Sequence, residues 1–244
     1  VLGGTFSAKG SWPWLVYINT GCTGSIVHPN WVITAKHCVF SDNLVVGYGN
    51  PNYNRQQHVN VNETFIMKPD CREFTSECLD SIDIALLYLE EPIPITPFSS
   101  PVCLKEQISE KWGDLEAAVG WGTFLIPDPE SRDGYILERS PNCREVDIPI
   151  RAIEQGYCDT LQADDKHEIC AGTWNHGSTR GDSGGPTMAL INDTWYLHGI
   201  TSRGKYLQND DPQMFRPQVI YTDVTSYCDW IADVTKGEVK CQKD

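Results

Sequence analysis

The chain has no uninterrupted apolar run near the roughly 18 residues that a membrane-crossing helix needs, although 40% of its 244 residues are hydrophobic. No helical membrane span is expected. Basic residues are scarce, with 19 Lys and Arg against 33 Asp and Glu and a net charge of -14. Nucleic acid and anionic membrane surfaces both demand a positive face, so neither is expected as the main partner. Metal-ligand spacing is missing too. The six histidines include no HExxH, and His167 and His176 are too irregularly placed to form paired Cys/His ligands. No metal and no cofactor is expected.

What is present points to chemistry carried by side chains alone. Gly181-Asp182-Ser183-Gly184-Gly185-Pro186 sets a hydroxyl in a glycine-rich turn. Flanking glycines let the backbone bend tightly and bring its N–H groups up to a reacting carbonyl. Serine alone is a weak nucleophile and needs a base, which in turn needs an orienting group. His37 ends the β-branched run Trp31-Val32-Ile33-Thr34-Ala35-Lys36-His37-Cys38 and is the candidate base. Asp83, before the apolar Ile84-Ala85-Leu86-Leu87, is the candidate orienter. The order His, Asp, Ser is that of the chymotrypsin class and not that of subtilisin or the α/β-hydrolases.

Ten cysteines and two sequons, Asn62-Glu63-Thr64 and Asn192-Asp193-Thr194, suit an oxidising secretory compartment, so an extracellular protein glycosylated at Asn62 and Asn192 is expected. At this length an all-β chain commonly forms one unit. Short apolar or alternating runs, Leu15 to Ile18, Ser25 to Thr34, Ile84 to Leu89, Ala117 to Trp121, Thr187 to Ile191 and Trp195 to Thr201, are separated by Gly, Pro, Asn and Asp. Asn192-Asp193 reads as a hairpin turn. Tyr227, Trp230, Ile231 and Val234 fall on one face of a helix.

These residues together resemble the trypsin-like, chymotrypsin-fold serine proteases from Val1 to about Lys236. Val1-Leu2-Gly3-Gly4 looks like that family's activated N-terminus, Thr34 to Cys38 like its histidine box, Asp83 to Leu87 like its aspartate box, and Gly181 to Pro186 like its serine box. The resemblance implies two six-stranded antiparallel β-barrels, about 16–103 and 115–225, with the cleft between them, a terminal helix about 226–235 and a tail 237–244. It implies a secreted endopeptidase acting through an acyl-enzyme, with Gly181 and Ser183 as the oxyanion hole and an activation pair between Val1 and Asp182. The chain then reads as a mature form, its targeting and pro segments removed. Protein or peptide substrates and protein inhibitors are the implied partners of a monomer. Segment 47–61, where some members carry a calcium loop, has no carboxylate.

The resemblance also pairs Cys22 with Cys38, contributing about 3 kcal/mol in the chain-entropy account, and Cys158 with Cys170. Six cysteines remain. Cys71 and Cys78 bracket a short loop, Cys103 has a plausible partner in Cys228, and Cys143 and Cys241 are left by elimination. Glu116 and Ala189 stand where the family has one bridge, and Thr179 where a cysteine would brace the pocket.

Departures in the specificity pocket matter most. Gly177, followed by Ser178, occupies the position where trypsin-like members carry an aspartate, so lysine and arginine would find no counter-charge. Ser202 and Gly204 follow the family's substrate-pairing strand, but Arg203 replaces the usual tryptophan. Val219 falls near the pocket floor, within a residue or two. An uncharged, shallow pocket suggests elastase-like preference, then chymotrypsin-like, then acidic residues drawn by Arg180 or Arg203. Those arginines could equally be solvated or paired with Asp210 and Asp211. Lys36 would lower the proton affinity of His37 if buried and do little if exposed. The alternative function is a secreted homologue that binds a partner without cleaving it.

Overall fold

Strands form where β-branched and aromatic residues cluster between glycine- or proline-bearing turns. The computed structural model describes residues 1–67, 82–109, 112–128, 130–131, 135–163, 166–208 and 214–243. A short β1 (Thr5–Phe6) precedes β2 (Leu15–Ile18), β3 (Cys22–His28), β4 (Trp31–Thr34), β5 (Val45–Tyr48), β6 (Gln57–Ile66) and β7 (Ala85–Leu89). The last six close a barrel in the order β2-β3-β4-β7-β6-β5, whose strands bury Ile18, Ile26, Ile33, Val46, Leu86 and Leu87 on their two faces.

The second barrel uses β8 (Leu115–Gly120), β11 (Arg144–Arg151), β12 (Glu168–Ala171), β13 (Pro186–Ile191), β14 (Thr194–Gln208) and β15 (Phe215–Asp223). Their order is β11-β12-β15-β14-β13-β8, closed by β11 on β8, while β1 adds to β11. A separate ribbon pairs β9 (Phe124–Pro127) with β10 (Tyr135–Glu138). Val1 itself lies in the core of this barrel, with Ala118, Ile148, Ile169 and Tyr221. The fold is the expected one: two closed six-stranded antiparallel barrels and a short C-terminal helix, Cys228–Val234, which seats Ile231 in the core.

Two expected strands change. The run Ser25 to Thr34 breaks at Pro29, which has no N–H to give to a ladder, so β3 and β4 are antiparallel neighbours. β14 does not end at Thr201 but continues to Gln208. The Asn192-Asp193 turn is present, with both residues at positive φ (48° and 61°) as a tight hairpin requires.

Cys22–Cys38 and Cys158–Cys170 are bonded as the resemblance implied. The pairings of Cys103 with Cys228 and Cys143 with Cys241 are overturned, because Cys228 bonds Cys241. After the helix the chain reverses at Gly237 (φ 81°), and the Thr235 hydroxyl accepts from the N–H of Val239. That reversal brings Cys241 back beside the first helical residue. Cys103 and Cys143 are free thiols among the described residues. Burial pushes the Cys143 thiol up to about 12, which makes it inert. Cys71 and Cys78 lie outside the described residues.

Candidate active site

His37 lies in the single 3-10 turn Lys36–Cys38, tied to β3 by the Cys22–Cys38 bridge. Its Nδ1 is 2.7 Å from Asp83 Oδ2, and its backbone N–H donates to Asp83 Oδ1 at 3.0 Å. Barrel two holds the same aspartate, through the Ser202 hydroxyl on Oδ2 (2.6 Å) and the Thr222 hydroxyl on the Asp83 carbonyl oxygen (3.1 Å). Burial alone would raise the Asp83 pKa, but the hydrogen bonds and charge of His37, together with Ser202, outweigh it and hold the carboxyl below its usual range. Its contribution to stability is therefore present above about pH 4 and is lost as acid titrates it in the folded state. Lys36 is half-buried and partnered. The sulfurs of Cys22 and Cys38 lie near His37, but as a disulfide they offer no thiolate to an ion.

Ser183 stands in a turn closed from both barrels. Its carbonyl oxygen accepts from the N–H of Thr23 (2.8 Å), and the N–H of Gly184 donates to Thr201 (2.8 Å). Gly184 has φ 75°, and a side chain there would strike the Thr34 hydroxyl and the Thr23 carbonyl. This contact seats the serine turn against the residues that lead to His37. Gly181 has φ 103° and lies under Gly122.

Asp182 and Val1 are both fully buried, and their ion pair measures 2.8 Å. The ammonium has three donors and finds three acceptors: Asp182 Oδ2, the Thr123 carbonyl (3.1 Å) and the Thr179 hydroxyl (3.0 Å). The carboxylate also accepts from the N–H of Gly122 and of Thr179, each at 2.7 Å. Such complete pairing is what a buried ion pair needs to offset its desolvation. Sequence reading had marked Thr179 only as a missing cysteine. In place of a covalent brace, its hydroxyl accepts a hydrogen bond from the N-terminal ammonium.

Gly177 and Ser178 are buried, and no carboxylate beyond Asp182 is placed beside them by the described residues. The Ser178 hydroxyl is 2.8 Å from the Tyr221 hydroxyl. Val219 reaches Gly177: its Cγ2 is 3.7 Å from where a Cβ would stand, and Pro217 is closer still at 2.7 Å. β14 and β15 then pair without interruption, Gly204 with Val219, Lys205 with Gln218 and Tyr206 with Pro217. Tyr206, which sequence reading did not single out, donates from its hydroxyl to the Ser178 carbonyl oxygen at 3.0 Å. Its phenol bridges the two walls of the pocket, and burial of its hydroxyl end raises its pKa although 41% of the residue is exposed.

Asp210 and Asp211, the partners weighed for Arg203, lie outside the described residues. Arg203 forms a bidentate pair with the buried Glu168, at 2.5 and 2.8 Å. This satisfied pair removes Arg203 as a ready anchor for acidic substrates. Arg203→Ala would strand a carboxylate in burial. Because the arginine is about a third exposed, the cost is about 2 kcal/mol, below the 3–5 of a fully buried pair. A fall in melting temperature of about 4–8 °C is expected by thermal denaturation. Arg180 is exposed, as are Asn62 and Asn192. Glu116, at the other missing bridge, pairs in burial with His198.

Two closed barrels, the first carrying His37 and the second Ser183, with Asp83 held from both, are the architecture of the two-barrel serine proteases. The trypsin family model matches residues 1–231, and the chain belongs to that family as a trypsin-like serine endopeptidase. It is 33% identical to a tryptase of Mus musculus, over 95% of this chain and 87% of that protein. It is also 29% identical to an ovochymase of Halocynthia roretzi, over 95% of this chain and 15% of that longer protein.

Proposed function

We propose that this endopeptidase is a secreted, glycosylated enzyme made as a zymogen, which cuts after small uncharged residues. Ser183 attacks the scissile carbonyl, and His37 takes its proton and later delivers it to the leaving amine. Asp83 holds the imidazole tautomer, and the N–H groups of Gly181 and Ser183 stabilise the oxyanion. The observation that carries this reading is the fully satisfied Val1–Asp182 pair directly beside Gly181. A protein that only binds has no need to bury an ammonium in order to hold that loop. Labelling of Ser183 by a fluorophosphonate tests it, and failure to label or to cleave any peptide ester would favour the non-cleaving homologue.

The specificity reading rests on the pocket walls. Gly177, Ser178, Pro217 and Val219 bring no charge, and an unpaired lysine or arginine side chain there would cost several kcal/mol. Tyr206 narrows the space further, so small aliphatic residues are preferred, with larger aromatic or leucyl residues second. Reporter substrates ending in Val, Leu, Phe or Arg before the cut measure this. Tyr206→Ala is expected to raise kcat/KM for the Phe reporter about tenfold relative to Val, consistent with a few methylenes' worth of added apolar contact. An Arg reporter cleaved as fast as Val would overturn the uncharged-pocket argument.

A further inference from the structure

Charge near the nucleophile runs against the character of the whole chain. In a protein of net charge -14, the guanidinium of Arg139 lies over the loop before Ser183. Its Nη2 is 3.0 Å from where a Gly181 Cβ would stand, and its Nη1 is 3.6 Å from the same position on Gly21. Arg139 follows β10 and is exposed, and it has no hydrogen bond or ion pair among the described residues. The guanidinium therefore lies across two backbone segments, acts electrostatically on Tyr17, and has no hydrogen-bond acceptor among the described residues.

The side of the cleft it occupies follows from the neighbours of the serine turn. β14 flanks the turn on one side, through Gly184 and Thr201. Beyond Ile200, the edge of β14 opposite β15 carries no strand among the described residues. A substrate adds to that edge with the residues before its scissile bond. The start of β3 flanks the turn on the other side, with the Thr23 N–H donating to the Ser183 carbonyl and the Thr23 hydroxyl donating to the Gly181 carbonyl at 3.4 Å. A peptide that crosses Ser183 from the β14 edge leaves over the turn between β2 and β3, where Gly21 and Arg139 lie.

We infer that Arg139 is a specificity-determining residue that selects substrates with Asp or Glu at the first or second position after the cut. Its planar fork suits a carboxylate, which it can grip with two parallel hydrogen bonds. Exposed pairs of this kind are worth up to about 1 kcal/mol, or about fivefold in rate constant. The inference rests on the endopeptidase reading and adds a substrate feature that the pocket for the residue before the cut does not decide.

The test uses internally quenched peptides that share one sequence before the cut and carry Glu, Ala or Lys at the two positions after it. A thioester with the same acyl part reports the nucleophile alone, and each variant's peptide rates are divided by its own thioester rate. Wild type should favour Glu over Lys about tenfold, and raised salt should weaken that preference. R139A should level the series and R139E should reverse it, while R139K should keep a reduced preference. A Glu preference that survives in both R139A and R139E, or no Glu preference in wild type, overturns the inference. Absence of thioester hydrolysis in wild type would instead defeat the endopeptidase reading.

Discussion

Ser183→Ala is expected to lower turnover of a peptide substrate about a millionfold, the loss seen when the equivalent group is removed from a protease of unrelated fold. The methyl group cannot attack a carbonyl, so the acyl-enzyme route closes. What remains is the stabilisation that the oxyanion donors and bound substrate give to attack by water. The turn itself should persist, because it is held by backbone bonds from Thr23 and Gly184, none of which uses the Ser183 hydroxyl. Active-site titration with a fluorophosphonate and the hydrolysis rate of a peptide ester measure the effect. Unchanged melting temperature with residual turnover of even a hundredth of wild type would remove Ser183 from the mechanism.

Blocking the Val1 amino group should be the next most damaging change. One added residue before Val1 removes the ammonium from its three acceptors and leaves the Asp182 carboxylate buried and uncompensated. Breaking a buried pair in this way costs about 3–5 kcal/mol. If that energy orders the loop carrying Gly181, then kcat/KM falls about a hundred- to several-thousandfold. Asp182→Asn should act in the same direction, because Asn offers an acceptor but no charge to the buried ammonium. Both forms should keep the barrels, since the strands close without Val1, and far-ultraviolet dichroism checks that. Full activity of the extended form would exclude the activation mechanism.

These two effects differ in how they can be read from the chain. Ser183, His37, Asp83 and Val1 each stand in a short run whose residue types answer a local need: glycines around a hydroxyl, two glycines soon after Val1, a carboxylate before an apolar strand. Such runs are legible because the chemistry is confined to neighbours. Thr179 was legible in part, three residues before Asp182 at a position that lacks a cysteine, yet nothing local said that it would bond the N-terminus 178 residues away. Cys228 with Cys241 was missed because elimination among six cysteines ignores the reversal at Gly237, which depends on how Thr235 bonds Val239.

Tyr206, Arg139 and the Arg203–Glu168 pair were not legible at all, and for a common reason. Each owes its surroundings to strand register and side-chain direction, and a one-residue slip in a strand moves every side chain to the opposite face. Tyr206 meets the Ser178 wall only because β14 runs on beyond Thr201 and pairs with Pro217. Arg203 meets Glu168 only because β12 and β14 both border β15. Alternation and turn residues by themselves determined that this chain is built of short strands, and the four short motifs, through the family they resemble, pointed to paired barrels and serine-protease chemistry, since both signals are written in short-range patterns. Which side chains line the pocket, which charges are spent on one another and which stay free for a substrate were decided only by the tertiary structure, because those contacts join segments whose distance in space the linear order does not contain.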